Sequence, residues 1–265
     1  MHRYLEKCQD LLQRIGQQAA AIARAADWCA ESIASGRVVH LFGSGHSRIM
    51  VEEMWPRYGS FPGFNPIVEL SLTYHNLVVG CNGQRQAMFL ENVPGLAARI
   101  LRNFHLDRRD TAVIVSNSGC NVVPIEMAHI FREHGVRTIA VVSFQHALRS
   151  RSQHPTGGKL HEVCDMALDT GAPPGDAMVA LPGLAVPVAP GSTIGGCLIV
   201  NCLKVEIAQR LIAAGVMPPV LTSAVLVGEP VAQQSFESAY DEHARRLAAV
   251  LMRGDVRGAA AEPAL

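Results

Sequence analysis

Two short loops rich in glycine and serine are the feature that most constrains how this chain can fold. They occupy residues 43–47 and 116–119. Each follows a continuous apolar run, at 38–42 and 111–115, and each precedes a helix-like pattern. A short apolar run bounded by turn residues is typical of a parallel strand that is covered on both faces. The sequence therefore predicts two parallel strands in one sheet, with both loops at its carboxyl edge.

Loops of this kind bind anions. Backbone N–H groups at the start of a helix, with hydroxyls beside them, form a site for a phosphate group. The first loop lacks the lysine of the nucleotide-binding P-loop, and no acidic residue ends a second strand as it does in dinucleotide-binding folds. A small phosphorylated molecule is the remaining ligand class. The candidate binding residues are Gly43, Ser44, Gly45, His46 and Ser47 in the first loop, and Ser116, Asn117, Ser118 and Gly119 in the second.

These two loops, followed by Val-Pro-Ile-Glu at 123–126, resemble the SIS (sugar isomerase) domain proteins, and most closely their stand-alone bacterial branch. The resemblance runs from about residue 3 to about residue 220 and is most specific in the loops. It implies a phosphosugar ligand and assembly as a homodimer or homotetramer. Cys120 and the stretch 225–230 depart from the pattern of the relatives, which leaves the identity of the sugar open.

The rest of the pattern alternates strands and helices, as in α/β proteins. We predict a doubly wound parallel sheet of five strands in the flavodoxin-like order 2-1-3-4-5, flanked by helices. A buried loop is expected up to residue 190, followed by a core helix over 192–213 that begins at a Ser192 N-cap. The predicted strands lie at 37–42, near 66–71, and at 111–116, 137–143 and 163–169.

An apolar seam with steps of three and four residues runs from Leu5 to Ile33 and predicts a long N-terminal helix over residues 1–35. This helix packs either on its own domain or on a second subunit. The SIS domain is expected over 36–220. A C-terminal extension over 221–265 is expected to contain one helix, near 236–251, and a disordered tail.

Composition excludes several classes of protein. The formal net charge is zero, with 23 basic and 23 acidic residues, so the chain lacks the basic surface that nucleic acid requires. The uncharged stretch between Asp176 and Lys204 is interrupted by prolines and glycines, which argues against a membrane span. The seven cysteines show no metal-binding spacing, and no apolar signal segment opens the sequence. We therefore expect a cytoplasmic protein without a metal or another cofactor.

Candidate catalytic groups are the acids and bases near the loops. Glu52 and Glu53 follow the first loop on its helix, at a rise that reaches the carbons of a sugar phosphate, and either could act as the general base. His154 is a candidate acid and Lys159 a candidate sugar ligand, because a loop after the fourth strand opens on the same edge of the sheet. The resemblance adds a similar His-x-x-Gly-Lys stretch. Weaker candidates are His46, His75, Glu91 and Glu206.

Three functions fit these residues. The first is a metal-independent isomerase that interconverts the aldose and ketose forms of a phosphorylated sugar or amino sugar. The second is a lyase that uses the same base to eliminate an ether substituent beside the carbonyl group. The third is a sensor that binds a sugar phosphate and regulates a partner without catalysis.

Overall fold

A computed structural model of the chain describes residues 1–73 and 83–251. The strands are β1 (Val39–Gly43), β2 (Phe64–Ile67), β3 (Thr111–Val115), β4 (Arg137–Val142), β5 (Met166–Asp169), β6 (Ala177–Val179) and β7 (Val188–Pro190). The α-helices are α1 (His2–Gly16), α2 (Ala19–Ala34), α3 (Arg48–Met54), α4 (Gln84–Leu90), α5 (Leu96–Leu101), α6 (Val122–Glu133), α7 (Phe144–Arg149), α8 (Leu160–Val163), α9 (Ser192–Ala213), α10 (Ala224–Val227) and α11 (Glu229–Val250). Short 3-10 turns occur at Gly45–Ser47 and Leu70–Leu72.

The main sheet has five parallel strands in the order β2-β1-β3-β4-β5, which confirms the predicted fold class and strand order. Its central strands β1, β3 and β4 are buried on both faces, as their apolar runs predict, whereas the edge strand β5 is mostly half-buried. In β3, Val113 and Val115 point into a core with α2, α3 and α9, whereas Ala112 and Ile114 point into a second core with α5 and α6. Helices therefore cover the two faces of the sheet.

The register of the two central strands places the loops side by side. Gly43 of β1 pairs with Val115 of β3, so Ser44 and Ser116 leave the sheet at neighbouring positions. Adjacent strands lie about 4.8 Å apart. Both loops therefore begin close to one point on the carboxyl edge, as the sequence predicts.

The N-terminal segment forms two helices rather than one continuous helix. α1 ends at Gly16 and α2 begins at Ala19. In the break, the side-chain amide of Gln18 donates to the carbonyl oxygen of Asp169 (2.7 Å) and accepts from its N–H (2.7 Å). Gln18 thus pairs with the exposed backbone of β5, which is an edge strand. This pairing requires the chain to leave the helical path.

Half of the apolar seam packs inside its own subunit. The seam residues of α2 from Ile22 to Ile33 are buried against α9 and the sheet. In α1, Leu11 and Ile15 are buried, but Leu5 and Leu12 remain 51% and 57% exposed. Assembly into a homodimer or homotetramer therefore stays a prediction.

Three other expectations differ from the structure. Residues 160–163 are helical, so β5 begins only at Met166. The expected buried loop before α9 is instead the antiparallel hairpin β6–β7, whose tip is exposed. β2 spans Phe64–Ile67 rather than 66–71, because a 3-10 turn follows it. The core helix at Ser192–Ala213 is confirmed, but its N-cap is Gly191 rather than the predicted Ser192, which is the first helical residue. No helix of the described residues is long and apolar enough to cross a membrane. His75 and the predicted tail lie outside the described residues.

A buried hydrogen-bonded cluster joins the strands at the amino edge of the sheet. Asp110, just before β3, accepts two hydrogen bonds from Arg37 (2.8 and 2.7 Å) and one from Nε2 of His40 on β1 (3.2 Å). The Asn65 amide on β2 contacts the other ring nitrogen of His40 at 2.9 Å. Burial by itself raises the pKa of Asp110, but the hydrogen bonds from His40 and Arg37 outweigh burial, and the pKa lies below its ordinary value. Asp110 is therefore ionised, and its hydrogen bonds to Arg37 and His40, with that of Asn65 to His40, link the amino ends of β1, β2 and β3.

Candidate functional site

A cavity of about 470 Å³ opens at the carboxyl edge of the sheet, where the two loops leave β1 and β3. Its wall is completed by α4, by α7, and by the first turn of α9 together with the turn before β6. Ligands of doubly wound proteins bind at this position, where the strand order reverses. Its lining includes Ser44, Gly45, His46, Ser47, Ser116, Asn117 and Ser118, so the structure brings together seven of the nine predicted loop residues.

The two glycines that do not line the cavity shape the loops. A Cβ atom on Gly43 would lie 2.6 Å from the carbonyl oxygen of Ser47, so only glycine lets the first loop turn this tightly. Gly119 has a φ of +60°, a left-handed conformation that favours glycine. Their role is to bring the backbone and hydroxyl groups of the neighbouring residues to the cavity.

The hydroxyl groups of the second loop are oriented by its own backbone. Ser116 Oγ accepts a hydrogen bond from Gly119 N (3.2 Å), and Ser118 Oγ accepts one from Cys120 N (3.3 Å). A hydroxyl also carries one proton to donate. Among the described residues, neither proton has an acceptor in the protein, so both suit the oxygens of a phosphate group.

Ser44 has a different partner. Its Oγ donates to Glu91 Oε2 at 2.6 Å, and Asn121 Nδ2 donates to Glu91 Oε1 at 2.7 Å. Glu91 follows α4 and lines the cavity. Burial raises its pKa above the ordinary value of a glutamic acid, although the hydrogen bond from Ser44 opposes the shift. A fixed, largely buried carboxyl group with a raised pKa is suited to moving a proton.

His146 on α7 faces the same cavity from the other side of the loops. Its Nδ1 lies 3.1 Å from the backbone N–H of Gly175. Because a backbone N–H can only donate, Nδ1 is the acceptor, and the neutral imidazole carries its proton on Nε2. The Nε2–H group is then available to a ligand. Asn117 Oδ1, which is buried and unpaired among the described residues, is a further polar atom at this site.

The structure places Glu52 and Glu53 outside the cavity. Glu53 binds Arg57 and Asn201, and Lys204 donates to its carbonyl oxygen, so its side chain faces α9. Burial raises its pKa, but the hydrogen bonds from Asn201 and Arg57 outweigh burial and hold it below the ordinary value, opposite to what a general base needs. Glu52 is exposed beside Arg48. Axial rise does not fix the direction in which a helical side chain points, and the rotation of the short helix α3 turns both away from the cavity.

His154 and Lys159 also lie outside the residues that line the cavity. His154 stacks on His129 at 5.5 Å between ring centroids, and its Nδ1 contacts the Thr156 hydroxyl at 2.7 Å. Lys159 Nζ donates to the carbonyl oxygen of Ala147 at 2.6 Å, which directs its charge into the protein. Glu206 pairs with Arg210 on α9 and does not reach the site.

The described residues contain no cluster of three or more His, Cys, Asp or Glu side chains that could hold a metal ion. Cys120 is buried beside the second loop, and burial raises the pKa of its thiol. A raised pKa disfavours the thiolate, so Cys120 is poorly suited to act as a nucleophile.

His146 and Asp176 line the cavity but were not among the predicted site residues, and Glu91 ranked only as a weak candidate. Glu91 meets Ser44 across 47 positions of the chain. Asp176 reaches the site through an irregular turn whose conformation no periodicity encodes, and His146 reaches it from the short helix α7. The sequence offers one signal for His146 and Asp176, which is their position after predicted strands. Many other polar residues have the same position, so this signal does not single them out.

The fold and the cavity define a doubly wound α/β protein with a ligand site at the switch point of its sheet. The SIS domain model matches residues 3–143, a little over half of the chain. A UPF0309 protein of Geobacillus kaustophilus is 31% identical over 247 residues, which cover 93% of this chain and 92% of that protein. A UPF0309 protein of Halalkalibacterium halodurans is 33% identical over 211 residues, which cover 80% and 85%. The chain therefore belongs to the SIS domain family.

Two solved structures resemble the chain more distantly. A phosphoheptose isomerase from Francisella tularensis superposes with a TM-score of 0.48 at 17% identity, covering 78% of this chain and 95% of that one. The NanR protein of Vibrio vulnificus, complexed with ManNAc-6P, superposes with a TM-score of 0.44 at 13% identity, covering 88% and 67%.

Proposed function

We propose that the cavity binds a phosphorylated sugar and that the protein interconverts the aldose and ketose forms of this sugar. The observation that carries the proposal is the presence of two kinds of group in one cavity. The hydroxyls of Ser116 and Ser118 offer protons to an anion, and Glu91 offers a partly buried carboxyl group with a raised pKa. Membership of the SIS domain family supports a phosphosugar as the ligand.

The phosphate group would lie over the ends of β1 and β3. There the hydroxyls of Ser47, Ser116 and Ser118 and the N-terminal end of α6 face a ligand. The described lining contains no lysine or arginine, so neutral donors and helix ends would neutralise the phosphate. Such a site holds a phosphate without the fixed charge of a nucleotide-binding loop.

The carboxylate of Glu91 would take the proton from the carbon beside the carbonyl group of the open-chain sugar. The electron pair of the broken C–H bond forms the C=C bond of an enediolate, and the carbonyl oxygen takes the negative charge. The Nε2–H group of His146 would donate a hydrogen bond to that oxygen. Return of the proton to the neighbouring carbon, with transfer of a hydroxyl proton between the two oxygens, completes the isomerisation.

Exchange with solvent tests this mechanism. A carboxylic acid swaps its proton with water between abstraction and return, so a substrate incubated in D2O gains deuterium at C1 or C2. We expect ¹H NMR to detect this in at least one member of a panel of aldose and ketose monophosphates and their amino analogues. The same sugars without phosphate should gain none.

Other outcomes separate the alternatives. Loss of the ether substituent from a sugar phosphate that carries one on the carbon next to the site of proton abstraction, with deuterium at the abstraction site, would assign the lyase reaction. A panel member that binds stably but shows neither deuterium uptake nor turnover would contradict the isomerase and favour a sensor.

A further inference from the structure

Asp176 places a carboxylate at a helix N-terminus in the cavity wall, a position that would otherwise attract an anionic ligand. It lines the cavity at the first turn of α9, the N-terminal end of a helix of 22 residues. Its Oδ1 accepts from the N–H groups of Gly191 (3.1 Å) and Ser192 (2.7 Å), and its Oδ2 accepts from Ser192 Oγ (2.7 Å). The protein's own carboxylate therefore takes the anion position at this helix end.

The turn that carries Asp176 lies over the ends of β4 and β5. Ser143, which follows β4, donates its hydroxyl proton to the carbonyl oxygen of Ala172 (2.7 Å), and Gly175 N donates to His146 on α7 (3.1 Å). β5 is two strands away from β3 in the sheet. At the usual strand spacing, the turn is displaced laterally by about 10 Å from the phosphate loops.

The backbone of Asp176 is held in a strained conformation. Its φ is +67°, in the left-handed region that few residues other than glycine adopt. Strain of this kind persists where the surrounding contacts fix it, and it is common at functional sites. Here the three hydrogen bonds to α9 hold the carboxylate in the wall of the cavity.

Resting on the proposed function, we propose that Asp176 selects the end of the sugar that is distal to the phosphate. A carboxylate has about four acceptor positions, and the three bonds to α9 leave one of them, on Oδ2, for the ligand. That position accepts from a hydroxyl or an ammonium group and repels a second anion. No lysine or arginine among the described lining residues offsets the repulsion. The substrate class is thus a sugar monophosphate whose distal end is neutral or cationic, rather than a bisphosphate or a phosphorylated sugar acid.

Titration calorimetry with three probes tests this proposal. Fructose 6-phosphate, 2-amino-2-deoxyglucose 6-phosphate and gluconate 6-phosphate share the phosphate and are neutral, cationic and anionic at the other end. We expect the intact protein to bind the anionic probe at least about tenfold more weakly than the neutral one, since one unit charge at contact distance contributes on this order. The cationic probe should bind at least as tightly as the neutral one.

Asp176→Asn is the diagnostic variant. Asparagine keeps one acceptor oxygen for the N–H groups of Gly191 and Ser192 and tolerates a positive φ. It removes the charge and replaces the Oδ2 acceptor by an NH₂ donor, to which the Ser192 hydroxyl can rotate as acceptor. We expect the ratio of anionic to neutral affinity to rise about tenfold in this variant and any advantage of the cationic probe to disappear. If the melting temperature shows that Asp176→Asn is unfolded, Asp176→Ser is used in its place, because serine also offers an oxygen that can cap α9. Asp169→Asn, a carboxylate outside the cavity, should leave both ratios unchanged.

The outcomes distinguish this inference from the proposed function. Unchanged affinity ratios in Asp176→Asn, or equal binding of the anionic and neutral probes by the intact protein, would overturn the role of Asp176 and leave phosphosugar binding intact. If neither inorganic phosphate nor any of the three esters binds, the proposed function fails, and the selection by Asp176 fails with it.

Discussion

Replacing Glu91 by glutamine should lower the rate of deuterium uptake by at least about 100-fold, because a positioned general base contributes about 100- to 10,000-fold. Glutamine is nearly isosteric, and its carbonyl oxygen can still accept from Ser44. Its NH₂ group can donate to Asn121 once the Asn121 amide flips. Binding of the phosphosugar should therefore persist while turnover is lost. NMR in D2O and calorimetry on the same sample measure the two effects.

Glu53→Gln is the matched control, since Glu53 binds Arg57 and Asn201 outside the cavity. We expect it to retain most of the deuterium uptake. The pH profile gives an independent readout. Because burial raises the pKa of Glu91 and a base works in its ionised form, activity should rise with pH through a midpoint above the ordinary value for glutamate. Loss of activity in Glu53→Gln with full activity in Glu91→Gln would reverse the assignment.

Replacing Asp110 by alanine should lower the free energy of unfolding by about 3–5 kcal/mol, the effect of removing one partner from a buried ion pair. The substitution leaves Arg37 buried without its carboxylate, and His40 loses the acceptor that fixes its ring. Urea unfolding at neutral pH measures the change. Asp10→Ala, which removes an exposed ion pair with Lys7, should cost less than about 1 kcal/mol.

The pH dependence of stability follows from the same cluster. The folded state holds the pKa of Asp110 below its ordinary value, so the stabilisation is complete above the pKa of the unfolded chain. It is lost as the pH falls through the lower, folded-state pKa. We expect Asp110→Ala to flatten the acid limb of the stability profile. An Asp110→Ala variant as stable as Asp10→Ala would show that the cluster does not hold the strands together.

The sequence predicted those parts of the fold that local patterns encode. The runs at 38–42 and 111–115 are strands because four apolar residues in five, with only His40 and Thr111 polar, suit a sheet covered on both faces. The core helix begins at Ser192 and ends before Gly215, since its apolar residues and stop signal are local. The β6–β7 hairpin was missed because its exposed segment has no clear alternation.

The catalytic candidates could not be predicted in the same way. Helical rise alone points to Glu52 and Glu53, but whether a side chain faces a cavity also depends on the rotation of α3, which its packing on α9 decides. Glu91 becomes a candidate only through Ser44 and Asn121, which are distant from it in sequence. Asp176 depends on a strained turn and on the start of α9. Contacts between distant residues determine all three outcomes.

The hydroxyls of the second loop provide the most direct test of phosphosugar binding. Titration calorimetry compares each sugar phosphate of the panel with its unphosphorylated sugar, for the intact protein and for a Ser116→Ala, Ser118→Ala double variant. Hydrogen bonds to a charged group contribute about 1.5–3 kcal/mol each, so the double variant should bind the phosphate ester at least about 100-fold more weakly. The unphosphorylated sugar should bind far more weakly than the ester. Equal affinity for the two, or an ester affinity that the double variant leaves unchanged, would contradict the phosphate site.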